Sequence, residues 1–258
     1  MRIAIVTALR RSTASRCLPI LLASSKIEIA RVILIERSTD YNWKTVCRKF
    51  RKLRSIGILG ALNGVRMRPW FDSGDVEDVE ELCSKLGVEF SLTSRTNCEK
   101  TSRLLSDSEA ELGLSLGNGY LARSVFSVPR FGMINVHGEI LPRFPGAQSV
   151  IWAIHEGCPV TGFTIHQINS KIDRGTILHQ ESWPIRYQAS LLGTVKANLA
   201  LLNERLPHAV SFVCENYGSL RNGIHSDGSY GRSYTTPSFR EFCKMQRMNK
   251  RNYRKSRE

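Results

Sequence analysis

Short apolar runs alternate with amphipathic segments along most of the chain. The runs that predict β-strands are Arg2–Leu9, Ala30–Glu36, Val88–Leu92, Leu112–Leu116, Met133–His137, Val160–Ile168 and Thr176–Ile185. Helical periodicity is clearest over residues 75–86, where Gly87 supplies a terminator. Because strands alternate with helices, the pattern predicts an α/β fold with a Rossmann-like, mostly parallel sheet and helices on both faces.

The remaining segments are less regular. Apolar patterns predict helices over residues 147–156 and 189–206, whereas residues 55–72 lack a period and indicate an insertion or a loop. Residues 228–242 are expected to wrap the surface before a frayed basic tail. We therefore predict a main domain over residues 1–207, which would carry the chemistry, and a C-terminal extension over residues 208–258.

Composition argues against several classes of protein. No apolar run approaches the ~20 residues of a membrane-spanning helix, so we expect no membrane partner. The first apolar run precedes Arg10 and Arg11 instead of following basic residues, which favours a strand and a helix over a targeting peptide. Seven scattered cysteines without a C-x-x-C pair indicate neither a disulfide framework nor a metal site, and the reduced cytoplasm is the expected location.

The formal net charge of +14 raises the question of a nucleic-acid partner. Much of the excess lies in the terminal segment 244–258 and in a second group on a predicted helix. The second group comprises Lys44, Arg48, Lys49, Arg51, Lys52 and Arg54. Solvated helix surfaces, or attraction to an anionic substrate, explain both groups as well as RNA does, so nucleic-acid binding stays an alternative.

Three polar residues form a candidate catalytic centre. Asn135 and His137 are separated by one residue in a predicted strand, so both side chains lie on the same face of the sheet. A glycine- and proline-rich turn follows, which places them at the carboxyl end of the strand, where open α/β sheets bind ligands. Asp173 lies on a glycine-containing loop between two predicted strands and can approach the same edge.

These residue types suit attack by an amine on an activated formyl carbon. The Asn135 amide can donate to the oxyanion of the tetrahedral intermediate, which is often worth about 3 kcal/mol. His137 can act as the acid–base group, with Asp173 orienting its ring. Taken singly, each residue also fits a structural role as a satisfied polar group near a strand end or in a turn.

The run from Gly132 to Leu178 resembles the signature region of the 10-formyltetrahydrofolate-dependent formyltransferases. That signature reads N-x-H, L-P-x-x-x-G, an apolar helix ending in glycine, T-G-x-T-x-H and D-x-G-x-I. The matching residues are Asn135, His137, Leu141, Pro142, Gly146, Gly157, Thr161, Gly162, Thr164, His166, Asp173, Gly175 and Ile177. Weaker similarity extends to the first strand and to residues 110–121.

The resemblance implies the formyltransferase fold and 10-formyltetrahydrofolate as the formyl-donating co-substrate. It implies Asn135, His137 and Asp173 as the catalytic residues. The residues that it implies for folate binding are Leu114, Leu116, Gly117, Gly119, Ile168, Ser170 and Ile172.

Two departures from the family pattern bear on the acceptor. Glu139 stands where relatives usually have serine, and is expected to be an exposed turn residue or a contact to a cationic or hydroxylated substrate. Arg10 and Arg11 replace the glycine-rich phosphate turn of the purine-pathway enzymes and are candidate substrate contacts. This replacement disfavours a glycinamide ribonucleotide acceptor.

The expected activity is therefore formyl transfer to a small amine, as in the sugar and small-amine N-formyltransferases, with an amino sugar nucleotide as one candidate acceptor. A short, largely helical region after the signature disfavours a methionyl-tRNA formyltransferase, and no segment resembles the regulatory domain of the formyltetrahydrofolate hydrolases. Both stay alternatives, as does a non-catalytic RNA-binding protein on the same fold. The acceptor amine and any homo-oligomerisation are left open.

Overall fold

The structure is a computed structural model that describes residues 1–36, 43–71, 74–146, 150–223 and 232–257, without the side chains of residues 43–46, 48, 49 and 52. Its strands are β1 (Arg2–Thr7), β2 (Glu28–Ile35), β3 (Phe90–Thr93), β4 (Leu112–Leu116), β5 (Met133–His137), β6 (Val160–Gln167) and β7 (Ile177–Pro184). In the described part of the chain, these seven strands form one sheet in the spatial order β3-β2-β1-β4-β5-β6-β7.

The sheet is mostly parallel. Strands β1 to β5 pair in parallel, whereas β6 runs antiparallel to β5 and β7 antiparallel to β6. Nearly all of β1 and β2 is buried, as expected for strands covered on both faces. Strand β1 lies between β2 and β4, so the strand order reverses there, and the carboxyl ends of β1 and β4 open the crevice in which such sheets bind ligands. The predicted mostly parallel α/β fold is confirmed.

Helices cover both faces of this sheet, as predicted. They are α1 (Thr13–Leu22), α2 (Trp43–Met67), α3 (Val79–Leu86), α4 (Glu99–Asp107), α5 (Arg123–Phe126), α6 (Ile151–His155), α7 (Leu191–Glu215), α8 (Tyr217–Leu220) and α9 (Phe239–Lys255). On one face, α1 and α7 pack over a core that includes Ile5 of β1. On the other face, α4 and α5 pack over a core that includes Val6. Successive residues of β1 thus supply opposite cores, as the strand period requires.

Two helix boundaries differ from the sequence prediction. Helix α3 begins at Val79 instead of residue 75, because the Asp78 side chain accepts the Glu80 amide hydrogen and caps the helix. It ends, as predicted, at Gly87, which adopts the left-handed conformation with φ 68°. The helix predicted over residues 147–156 is present as α6, but residues 147–149 lie outside the described residues, as do residues 228–231 of the predicted surface segment.

Of the two alternatives for residues 55–72, an insertion or a loop, the loop is wrong for residues 55–71, and residue 72 lies outside the described residues. This stretch continues α2 to Met67, with a kink at Gly57 (φ 73°), and a 3₁₀ helix follows over Arg68–Phe71. A Cβ atom on Gly64 would lie 2.7 Å from Cγ2 of Thr236, so the glycine lets α2 approach residues 236–238. Tertiary packing, which periodicity does not register, therefore stabilises this helix.

The prediction of a frayed basic tail is also wrong. Ser238 and Glu241 form a capping box that starts α9, and Phe242 and Met245 are buried between this helix and its neighbours. The proposed domain boundary after residue 207 falls inside α7, which continues to Glu215. The described part of the C-terminal region therefore packs against α2, α6 and α7.

Three further expectations concern membranes, metals and thiols. None of the described helices is long and apolar enough to cross a membrane. Within the described ranges, His, Cys, Asp and Glu form no group of three or more that could hold a metal ion. All seven cysteines are free thiols, and four of them are buried.

Candidate active site

Strand β5 presents Asn135 and His137 at the carboxyl edge of the sheet. Across the antiparallel pairing with β6, Asn135 is in register with His166, and His137 with Thr164. The Asn135 Nδ2 atom lies 3.3 Å from Nε2 of His166. Cross-strand pairing thus adds to the candidate centre a second histidine, which had been recognised only as part of the family signature.

The His137 ring is fixed through one of its two nitrogens. Its Nε2 lies 2.8 Å from the carbonyl oxygen of Phe144. Because a carbonyl only accepts, Nε2 carries the hydrogen, and Nδ1 is left to face Asp173. The distance from Nδ1 to Asp173 Oδ2 is 3.6 Å, longer than a direct hydrogen bond. Such contacts commonly tighten when a ligand binds.

Asp173 reaches the centre from a loop between β6 and β7. It has a left-handed backbone conformation (φ 53°), which aspartate tolerates better than most residues. The loop is held by Asn169, whose Nδ2 donates to the Arg174 carbonyl at 2.8 Å, and the Gly146 amide donates to Asp173 Oδ2 at 2.7 Å. Its Oδ1 lies 3.7 Å from His166 Nε2. The carboxylate therefore stands between the two histidines.

His166 orients the Asn135 amide. Burial lowers the pKa of His166, and this effect outweighs the opposing influences of the Gln167 carbonyl and the Asp173 carboxylate. Its Nδ1 donates to the Gln167 carbonyl at 2.8 Å, so Nε2 of the neutral ring is free to accept from Asn135 Nδ2. One of the two Asn135 amide hydrogens is thus engaged, and the other has no hydrogen-bond partner among the described residues.

A cavity of about 370 Å³ opens against these side chains, which is within the usual size range of small-molecule sites. Its lining residues are Gly117, Asn118, Gly119, Tyr120, Leu121, Asn135, Val136, His137, Gly146, His166, Ile168, Asn169, Lys171, Ile172 and Asp173. The structure therefore brings the three candidate catalytic residues together on its wall. Among the predicted folate contacts, Gly117, Gly119, Ile168 and Ile172 also line the cavity.

The other predicted folate contacts do not line this cavity. Leu114 and Leu116 are fully buried core residues of β4, and Ser170 is absent from the wall. The loop just beyond β4 supplies the lining instead, including Asn118, which is not among the residues named individually from the resemblance. Asn118 Nδ2 donates to the Val6 carbonyl at 2.6 Å, and its Oδ1 is buried without a hydrogen-bond partner among the described residues. A polar residue directly after a buried strand was the available signal.

Glu139 is not an exposed turn residue, so that prediction is wrong, and it does not line this cavity. It is fully buried; Oε1 accepts from the Thr161 hydroxyl at 2.6 Å, and Oε2 from the Ile140 amide at 3.1 Å. Its backbone carbonyl accepts from the Thr164 hydroxyl at 2.8 Å. Glu139 thus anchors the loop 138–146, which carries the Phe144 carbonyl and the Gly146 amide.

Burial raises the pKa of Glu139 to about 7 from its ordinary value of 4.5, against the lowering effect of its hydrogen bonds. The folded protein therefore keeps a proton that the unfolded chain releases, so the resulting stabilisation is complete below pH 4.5 and is lost as the pH rises to 7. The loss amounts to roughly 3 kcal/mol. We expect Glu139→Gln to flatten this slope and to be more stable than the native protein above pH 7.

Urea unfolding at a series of pH values measures this effect. Glu204→Gln, at an exposed carboxylate, is the matched control and should keep the native slope. Identical slopes in the native protein and in Glu139→Gln would contradict the assignment.

The C-terminal segment braces the same loop from outside. The Tyr234 amide donates to the Pro145 carbonyl at 2.8 Å, and the Tyr234 and Phe144 rings are 5.5 Å apart. Trp152 of α6 donates from Nε1 to the Thr235 carbonyl at 2.9 Å. Residues 234 and 235 therefore hold loop 138–146 against α6.

The predicted substrate contacts Arg10 and Arg11 do not line the cavity. Arg10, on the β1–α1 loop, has guanidinium–carboxylate distances of 2.8 Å to both Glu36, directly after β2, and Glu80, in the first turn of α3. Arg11 is exposed. Ion pairs with Glu36 and Glu80 therefore hold the Arg10 side chain.

Residues 97–209 match the sequence profile of the family described as Formyl transferase. The match covers less than half of the chain and shows that this segment is similar to the formyl transferases. The matched segment begins before α4 and ends within α7, and it contains Asn135, His137, His166 and Asp173.

Individual proteins that are similar to this chain are also formyltransferases. The methionyl-tRNA formyltransferase of Anaplasma marginale is 40% identical over 128 residues, which are 48% of this chain and 38% of that protein. The chain thus spans well under half the length of this relative. Phosphoribosylglycinamide formyltransferase from Anaplasma phagocytophilum superposes with a TM-score of 0.59 over 84% of this chain and 87% of its own, at 15% identity. A 4-N formyltransferase from Francisella tularensis gives a TM-score of 0.55 over 93% and 77%, at 16% identity. At these identities, the two structures establish the fold.

Proposed function

We propose that the chain transfers the formyl group of 10-formyltetrahydrofolate to the amine of a small substrate. One observation carries the proposal: Asn135, His137 and Asp173 converge on the wall of a cavity inside the formyl transferase segment. Seven free cysteines fit a cytoplasmic setting for this activity.

The cavity wall fits a folate donor. Tyr120, Leu121, Ile168 and Ile172 supply apolar surface for a flat heterocycle. The buried Oδ1 of Asn118 lacks a partner among the described residues and can accept from a ring N–H group of a pterin. The folate would supply an activated formyl carbon.

The side chains around Asn135 can then assist attack by the acceptor amine. The free Asn135 amide hydrogen donates to the formyl oxygen as it becomes an oxyanion, a contribution of about 3 kcal/mol. His137 Nδ1, next to Asp173, takes the proton that the amine loses as the new C–N bond forms. As the bond from the formyl carbon to the folate nitrogen breaks, His137 Nδ1 gives that proton to the leaving nitrogen, so charge and atoms balance and the imidazole returns to its neutral form.

A second groove supports a small, anionic acceptor. Thr13, Phe71, Leu199 and Asn203 line a space of about 170 Å³ between α1, the 3₁₀ helix and α7. Gly117 and Val136 line both this groove and the catalytic cavity, so the two spaces are neighbours. Arg16 and Lys196 line a further space that also includes Leu199 and Asn203. An amino sugar on a nucleotide carrier combines the amine with the negative charge that these cations attract.

Methionyl-tRNA is the second candidate acceptor, because the relative from Anaplasma marginale carries that enzyme's name. Water is the third, since the same three side chains could equally assist hydrolysis. These alternatives differ only in what attacks the formyl carbon.

An acceptor panel tests the proposal. The purified chain is incubated with 10-formyltetrahydrofolate and amino sugar nucleotides, with unformylated methionyl-tRNA, or with buffer alone, and tetrahydrofolate release is followed by absorbance. We expect release that depends on an amino sugar nucleotide. Equal release in buffer alone would identify a hydrolase, release only with methionyl-tRNA would identify the tRNA enzyme, and no release under any condition would refute formyl transfer.

A further inference from the structure

The second half of α2 exposes a row of aliphatic side chains. Ile58, Leu59, Leu62 and Val65 are between 56% and 71% exposed, and we call them the α2 stripe. Their spacing of one, four and seven residues places them on one face of the helix. An exposed apolar row of this kind commonly marks an interaction surface.

The opposite face of α2 is the one that packs on the protein. Gly60 is buried there, and a Cβ atom on it would lie 3.1 Å from the Ser238 Cα atom. Gly64, one turn further on, faces Thr236. Because both glycines point towards residues 236–238, the α2 stripe points away from the body of the protein.

Positive charge surrounds the α2 stripe. Residues 41–71 contain eight lysines and arginines and no aspartate or glutamate. The basic residues of this segment whose side chains are described are all exposed: Arg51, Arg54, Arg66 and Arg68. Phe50 and Leu53, beside the first two, are also exposed. The described exposed side chains of this segment therefore combine apolar surface with positive charge and include no carboxylate.

The combination of exposed aliphatic side chains and positive charge favours some binding partners of the α2 stripe over others. A second copy of the chain, docked symmetrically, would bring arginines of like charge together, which is unfavourable. RNA phosphates would satisfy the arginines but leave the aliphatic side chains in water. A groove on an acidic protein would need a shape complementary to a convex, kinked helix, whereas lipid adapts to that shape.

We propose that α2 docks on an anionic lipid surface. The arginines lie at the level of acidic headgroups while the α2 stripe enters the acyl boundary, and the net charge of +14 attracts the protein to the membrane. The helix rests on the bilayer and does not cross it. This docking changes the expectation of no membrane partner and is independent of the formyl-transfer proposal.

Co-sedimentation with vesicles tests the docking. The full chain is mixed with phosphatidylcholine vesicles, with or without phosphatidylserine, and the bound fraction is measured. We expect binding to the mixed vesicles only. Leu59→Gln/Leu62→Gln should weaken it by at least about tenfold, because both lost side chains would otherwise be buried. Arg51→Gln/Arg54→Gln should weaken it by about tenfold.

Matched control variants test whether the loss of binding depends on where the substitutions lie or only on their type. Leu86→Gln/Leu92→Gln replaces exposed aliphatic residues elsewhere, and Arg247→Gln/Arg251→Gln removes the same charge from α9. Both controls should bind like the native chain, and all four variants should keep its unfolding temperature.

Four results would overturn the proposal. They are no binding to phosphatidylserine vesicles, equal loss in the α9 control, binding insensitive to Leu59→Gln/Leu62→Gln, and dimers in sedimentation analysis that this variant dissociates. The last result would instead assign the α2 stripe to an interface between copies of the chain.

Discussion

Replacing His137 by alanine is expected to lower kcat for formyl transfer by at least ~10³-fold while leaving folate binding measurable. The substitution removes Nδ1, the ring nitrogen that faces Asp173 at 3.6 Å, and with it the proton acceptor for the attacking amine. It leaves the apolar side chains of the cavity wall in place, so the folate should still bind. Steady-state kinetics and fluorescence titration with folate measure the two effects separately.

His179→Ala is the matched control for this experiment. His179 lies on β7, where its Nε2 contacts Glu181 at 3.1 Å, and it does not line the catalytic cavity. The control should retain near-native turnover. If His137→Ala kept kcat within about tenfold of the native value, the proton-transfer role of His137 would be wrong.

Asp173→Asn is expected to lower kcat by ~10²- to 10³-fold without unfolding the loop. Asparagine tolerates the left-handed conformation (φ 53°) and offers an oxygen to the Gly146 amide, so the backbone should remain in place. The negative charge between His137 and His166 is lost. The kinetic effect should therefore appear without a comparable fall in unfolding temperature.

Two comparisons make the Asp173 result interpretable. Asp107→Asn, at an exposed carboxylate ending α4, should leave kcat unchanged. The double variant His137→Ala/Asp173→Asn should lose little more activity than the worse single variant, because groups that act as a unit are non-additive. A lower unfolding temperature with an unchanged kcat would assign Asp173 a structural role alone.

The strand half of the candidate site was predictable from local pattern. Alternation in β5 is enough to place Asn135 and His137 on one face, and the glycine-rich turn marks the functional end of the strand. The prediction that Asp173 lies in the site depended on the family resemblance, because the local sequence does not determine how a loop contacts a neighbouring strand. The role of His166 depended on the antiparallel register of β6, which pairs it with Asn135.

Other features required tertiary information. Residues 55–72 suggested a loop because they lack a clear period, yet Gly60 and Gly64 of this stretch are the contact points with residues 236–238. The burial of Glu139 follows from Thr161 approaching it from β6. The start of α9, by contrast, could have been predicted from the sequence, since Ser238 and Glu241 have the spacing of a capping box.

The short segment before α9 has a practical consequence for anyone shortening this chain. Tyr234 contacts loop 138–146 on one side, and Thr236 contacts α2 two residues later. This segment thus supports both loop 138–146, beside the catalytic cavity, and helix α2. A deletion meant only to remove basic residues should keep the chain up to Asn252, because the Asn249 and Asn252 side chains hydrogen-bond to residues 188 and 187. A deletion that reached Tyr234 would remove support from both structures at once.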